Sequence, residues 1–265
     1  MMRVFRPLLV AEREAVEFCD YRREIHWGQK VMITCEHASN HLPEPYTWSQ
    51  GDAEVRDTHW AFDPGAADTA KSLAQRLQTI AVLSKFTRLL LDANRTLYSE
   101  TLFRRTCDGR PLDLNSALSA EERYSRINRF HVPYHQLVGE AAEFLDPDLI
   151  ISIHTFTPNY EGQVRSVEVG VLYEEYDAAL ALYTQAQFQS AGFDSRLNEP
   201  WSGKAGLMPV ALGVKFAKGD RHRDTIELEI RNDLATNEAV RGKVVQILTN
   251  VAERQVRSHQ IPTPS

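Results

Sequence analysis

The chain has 265 residues, which fits one large domain or two small ones. Its hydrophobic fraction of 43% and charged fraction of 25% are those of an ordinary globular protein with a full core. A net charge of −6 with no basic block argues against a general nucleic-acid binder.

Three widely spaced cysteines (Cys19, Cys35, Cys107) form no Cys-x-x-Cys pair. They indicate neither a disulfide framework nor a zinc knuckle and fit a reducing compartment. The apolar run Pro7 to Ala11 is too short for a signal-peptide core, and no run reaches transmembrane length. The expectation is a cytoplasmic protein with no membrane partner.

In chain order, residues 1–30 are polar and mixed and read as a helical extension packed on the domain. Val31 to Cys35 reads as a strand, followed by a Pro-rich loop through Pro43 and Pro45. Ala66, Ala70, Leu73, Ala74 and Leu77 recur at helical spacing and predict an amphipathic helix over about 65–79. Arg88 to Asp92 reads as a second core strand, and 98–118 as loop. Ser119 to Glu122 is a capping-box pattern opening a helix that Pro133 should kink or break. A buried strand over 149–153, a β-rich run over 164–172, a helix near 177–191, an alternating strand over 225–230 and a helix over 235–255 complete the chain. Strands alternating with helices predict one α/β domain over 1–265. Its central sheet is mostly parallel or mixed, with helices on both faces.

Two of these strands end in histidine. Ile150-Ile151-Ser152-Ile153 runs into His154, and Val31 to Cys35 runs into Glu36-His37. Open α/β sheets bind ligands beyond the carboxyl ends of their strands, so two strand-end histidines suggest one shared site. A catalytic zinc takes about three protein ligands plus a water. His37 is the best first candidate. Glu36 would point the opposite way if the strand continued. Asn40 is close enough to hydrogen-bond a ligand, and His41 reads as exposed. Asp63, before Pro64-Gly65, is either a helix cap or the carboxylate of a His-His-carboxylate site, with His59 in reserve. Asn94-Arg95 and Arg88 could bind an acidic substrate, since arginine grips carboxylates bidentately. Equally, Asp92 and Arg95 could form a structural ion pair. Glu227 and Glu229 lie two apart and share one strand face with Arg231, and either acid could serve as a general base or lie at a solvent edge.

Together these segments resemble the N-formylglutamate amidohydrolase family. The matching stretches are Cys35 to Pro43, Asp63 to Ala66, Arg88 to Arg95 and Ile153 to Phe156. That family is in turn similar to zinc carboxypeptidases and aspartoacylase-like deacylases. Asp92-Ala93-Asn94-Arg95 is similar to the carboxypeptidase motif whose Asn-Arg holds the substrate carboxylate. Ile153-His154-Thr155-Phe156 is similar to the strand-end motif of the second zinc histidine. Leu228-Glu229-Ile230-Arg231 is similar to the segment bearing the catalytic glutamate, which favours Glu229 over Glu227.

The resemblance implies Zn²⁺ held by His37, His154 and Asp63, with Glu229 as base. Arg88, Asn94, Arg95 and Asn40 would hold a small acidic N-acyl amino acid, N-formyl-L-glutamate by analogy. One departure stands out. The relatives' first motif is His-x-x-Glu, and here Asn40 occupies the Glu position, so Asp63, Glu36 or Asn40 completes the coordination. The alternatives are a deacylase- or carboxypeptidase-like hydrolase of another substrate, a catalytically silent binder of acidic metabolites, or an iron site, since two His and a carboxylate also suit Fe(II).

Overall fold

The architecture follows from where the apolar runs pair. In the computed structural model, which describes residues 3–160, 162–201 and 223–259, seven strands form one mixed sheet. They are β1 (Val16–Asp20), β2 (Val31–Cys35), β3 (Ile80–Ser84), β4 (Leu149–Phe156), β5 (Val169–Leu172), β6 (Ser195–Leu197) and β7 (Asp224–Arg231). Their spatial order is β1-β3-β2-β4-β7-β5-β6. The central four, β3, β2, β4 and β7, are parallel, β1 pairs antiparallel to β3, and β5 antiparallel to β7. β2 and β4 are wholly buried, as expected of strands covered on both faces.

The two faces have separate cores. Val31, Ile33, Ile151, Ile153, Leu228 and Ile230 pack under α2 (Ala66–Leu77) and a C-terminal helix, Glu238–His259. Met32, Ile80, Val82 and Ile150 pack under α4 (Val132–Leu145) through Phe130, Tyr134, Leu137 and Val138. From β2 the chain crosses through α2 to β3 on one side. It then returns through α3 (Ala120–Arg126) and α4 to β4 on the other. The direction of winding therefore reverses between β2 and β4, and a crevice opens beyond their carboxyl ends at such a point.

Several expectations change. The leading segment contributes a short helix α1 (Val10–Ala15) and the edge strand β1. Arg88 to Asp92 is not a strand. Leu89, Leu90 and Leu91 are buried in a turn held by Leu90 N donating to Thr87 O at 3.0 Å and Asp92 N to Leu102 O at 2.8 Å. A short apolar run states burial and not conformation, and the strand lies a few residues earlier, in Ile80-Ala81-Val82-Leu83. Ser119 does accept from Glu122 N and opens α3. α3 passes into α4 through a π-helical turn, Ile127–His131, just before Pro133, whose missing N–H disrupts the regular ladder there. Among the described residues no helix is long and apolar enough to cross a membrane.

Candidate metal centre and substrate cavity

Alternation along three neighbouring strands builds the polar floor of the crevice. Ser152 and His154 share one face of β4, and Glu227 and Glu229 share that face of β7, in register with Ser152 and His154. Glu36 follows β2 on the same side. It accepts from Ser152 Oγ at 2.6 Å and Tyr134 Oη at 3.0 Å. His37 then turns across, and Asp63 is tied to it by its own N–H donating to His37 O at 2.9 Å. Asp63 precedes Pro64 and Gly65 (φ 85°), where a Cβ would come within 2.7 Å of Ala235 backbone. Only glycine fits that turn into α2.

Three donor atoms converge. His154 Nδ1 lies 3.0 Å from His37 Nδ1 and 2.9 Å from Asp63 Oδ2, and His37 Nδ1 is 3.4 Å from that oxygen. The edge of a tetrahedron with metal–ligand bonds of about 2.0 Å is about 3.3 Å, so these atoms span one face of a zinc-sized site. The opposite ring nitrogens are both anchored: His37 Nε2 lies 2.7 Å from Asp92 Oδ1, and His154 Nε2 2.9 Å from Glu36 Oε2. A carboxylate behind each imidazole accepts a hydrogen bond from Nε2–H and so leaves Nδ1 with its lone pair free, as metal-bound histidines require. The buried trio His37, Asp63 and His154 can thus hold a metal ion. His154, Glu227 and Glu229 also lie close enough together to hold an ion.

The electrostatics follow from burial and proximity. Burial opposes charge on Asp63, Asp92 and Glu36, yet each stays below the ordinary carboxylate range. His37 and His154 hold Asp63 down, Arg88 and His37 hold Asp92 down, and the His154 hydrogen bond and charge hold Glu36 at about 2. His154 is raised despite its burial, by Glu227, Asp63 and Glu36. Glu229 behaves oppositely. Burial pushes it up to about 8, with Glu227 and Asp63 adding repulsion. Its Oε2 has no hydrogen-bond partner among the described residues, whereas Glu227 Oε2 accepts from Asn94 Nδ2 at 3.3 Å.

A cavity of about 210 Å³ lies over this floor, lined by His37, Asp63, Asn94, Glu227 and Glu229 below and by Arg88, Arg95, Arg104 and Arg165 around it. Arg88 donates to Asp92 Oδ2 at 2.7 Å and approaches Asp63 Oδ1 at 3.5 Å, so it braces the carboxylates as well as facing the cavity. Asp92 therefore pairs with Arg88 and His37, and Arg95 and Arg104 make no ion pair among the described residues. Arg104 stacks on Trp60 at 5.0 Å, and Arg165 on Tyr160 and Trp201 at 4.6 and 4.4 Å.

Of the residues singled out in the sequence, His37, His59, Asp63, Arg88, Asn94, Arg95, Glu227 and Glu229 line this cavity. His154 lies beneath it, in contact with His37 and Asp63. Asn40 does not line it. Its amide donates to Asp57 Oδ1 and Arg56 O at 2.9 and 3.2 Å. His41 is exposed. Arg231 leaves the glutamate face and pairs with Asp233 at 2.8 Å. Glu36, a weaker candidate for the third ligand because it should point away, is the anchor of His154. Arg104, Tyr160, Arg165 and Trp201 carry no motif signal, and Trp60 stands beside His59 with nothing in the sequence to say that it faces the same cavity.

The family comparison decides what kind of protein carries this floor. The N-formylglutamate amidohydrolase family model matches residues 29–236. The chain belongs to that family. It is accordingly an amide hydrolase of the N-formylglutamate amidohydrolase family. Among solved structures it is similar to the product of gene Atu2144 from Agrobacterium tumefaciens. That match has 28% identity and a TM-score of 0.79, over 97% of this chain and all of that one. It also shares its fold with the N-formylglutamate amidohydrolase of Ralstonia eutropha JMP134, at 16% identity and a TM-score of 0.71, over 92% of this chain and 99% of that one. No curated protein matches the chain.

Proposed function

We propose that the chain is a zinc-dependent amidohydrolase that releases formate from N-formyl-L-glutamate or a closely similar acidic N-acyl amino acid. The observation that carries this reading is the convergence of His37, Asp63 and His154 beneath a cavity ringed by arginines and bordered by Glu229, whose Oε2 has no hydrogen-bond partner among the described residues. His37, Asp63 and His154 would hold the zinc, which when bound would supply Lewis acidity for polarising an acyl oxygen and acidifying water.

The chain's own residues do the rest. Glu229 accepts the proton of the attacking water and returns it to the leaving amine. Its burial supports this role, because it brings the carboxyl group toward neutrality, the range in which one group can both take a proton and give it back. Arg95, Asn94 and Arg88 bind the substrate carboxylates and orient the amide, and Arg104 adds positive charge at the wall. Two carboxylates on the substrate match a site with more than one arginine. Asn40 has no part in this reading, because its amide is turned toward Asp57.

A zinc-loaded preparation offered N-formyl-, N-acetyl- and N-succinyl-glutamate and -aspartate should hydrolyse N-formyl-L-glutamate fastest. No turnover of any of them would overturn the reading. The aromatic wall of Trp60, Tyr160 and Trp201 favours, as a second reading, a larger acyl group or side chain, and the same panel separates the two.

A further inference from the structure

The loop Asp92–Arg95 carries Asn94 and Arg95 into the cavity but belongs to no strand or helix. Its carbonyls must find partners elsewhere, since buried backbone groups left unpaired are costly. Asp92 O accepts from Arg95 N at 3.1 Å, and Asn94 O from the Arg95 guanidinium at 2.8 Å. The remaining two face histidines. His135 Nε2 lies 3.1 Å from Ala93 O, and His131 Nε2 lies 3.0 Å from Arg95 O.

The π-helical turn before Pro133 supplies His131 at its last position, and α4 supplies His135 four residues on, so both rings leave the helix on one side. They stack face to face, 3.9 Å apart and 22° from parallel. We propose that His131 and His135 are positioning residues that clamp the backbone on either side of Asn94 and so aim Asn94 and Arg95 at the substrate.

A carbonyl only accepts, so each ring must carry its proton on Nε2. Stacking blocks either ring from turning away. Burial holds His131 below the ordinary histidine range, which keeps it a neutral donor. Both rings meet the backbone on either side of Asn94, so the clamp acts through the loop.

The test uses the full chain, loaded with zinc, and its kinetic arm rests on the proposed reaction. His131→Leu and His135→Leu should each raise KM for N-formyl-L-glutamate about tenfold, with kcat changed by less than about threefold and zinc content unchanged. His131→Gln and His135→Gln place an amide N–H near the lost Nε2 and should restore most of the KM. In an Arg95→Ala background, His131→Leu should add less than about twofold, because His131 holds the Arg95 carbonyl and the side chain that carbonyl positions is gone. Unchanged KM in the leucine variants, or a full tenfold effect in the Arg95→Ala background, would overturn the clamp.

Long-range ¹H–¹⁵N spectra of the histidines provide an arm independent of turnover. Nε2–H tautomers on both rings are expected, and an Nδ1–H tautomer on either overturns the proposal. If the wild-type protein is inert on every substrate tried, the functional reading fails by itself, and the tautomers still decide the clamp.

Discussion

His37 and His154 each present one ring nitrogen to the converging site and the other to a buried carboxylate. One of those carboxylates sets a first prediction, and the proposed base Glu229 sets a second. Asp92→Asn keeps the shape but no longer fixes the His37 tautomer, so zinc affinity should fall about 10- to 100-fold, read by competition with a chelating dye. Asp92→Asn that holds zinc as tightly as wild type would separate Asp92 from metal binding. Glu229→Gln should lower kcat at least ~100-fold while leaving KM within a few-fold, as expected for loss of a general base. An unchanged kcat removes Glu229 from the chemistry and turns attention to Glu227. The histidines themselves were legible because each ends an apolar run. Glu36 was not, because strand alternation states only which face a side chain takes. Whether a second strand brings a histidine to that face is a matter of sheet order.

At the scale of elements, sheet register does what no motif shows. β7 lies between β4 and β5, so Glu229 stands beside His154 on one side and Gly170 on the other. A Cβ at Gly170 would fall 1.9 Å from Glu199 O and 3.3 Å from the Glu229 Cβ. Gly170→Ala should therefore destabilise the fold by about 1–3 kcal/mol, because the Glu199 backbone must shift, and depress activity beyond what stability explains, since the new methyl also presses on the proposed base. Denaturant unfolding and kcat at a temperature where the variant is fully folded check the two parts. The misplacement of a strand at Arg88–Asp92 has the same origin. Leu89, Leu90 and Leu91 are apolar because two cores close over a turn, not because a ladder runs through them. A turn there releases the following residues from sheet geometry, and that freedom lets Asp92, Asn94 and Arg95 face three different partners.

For the molecule as a whole, two couplings are measurable. Zinc that binds only the folded state adds stability by mass action, about 2.7 kcal/mol at 100 times Kd, so adding a chelator should lower Tm. A Tm unaffected by zinc or chelator would count against a site formed only in the folded chain. The second coupling is at the amino end. Glu12 accepts from Leu9 N at 2.6 Å and pairs with Arg6, which also binds Glu140 of α4. The Arg6 hydrogen bond, against opposing burial, lowers the Glu12 pKa from 4.5. Its stabilisation is therefore present above about pH 4.5 and lost as the pH falls through the lower folded value. Glu12→Gln should cost about 1 kcal/mol at pH 7, and the difference from wild type should shrink below pH 4 in urea titrations.

The sequence alone determined what can be written along a line: the α/β alternation, the capping of α3, the break at Pro133, and apolar runs that end in chemistry. Tertiary structure decided which of those ends meet. The reversal of winding between β2 and β4 brings His37 to His154, and parallel register places Glu229 beside them. Loops separated by tens of residues supply Asp63 and the arginines. Local propensity acts over a few residues, while a site of converging donors depends on strand order and register, and those are fixed only when both faces of the sheet are packed.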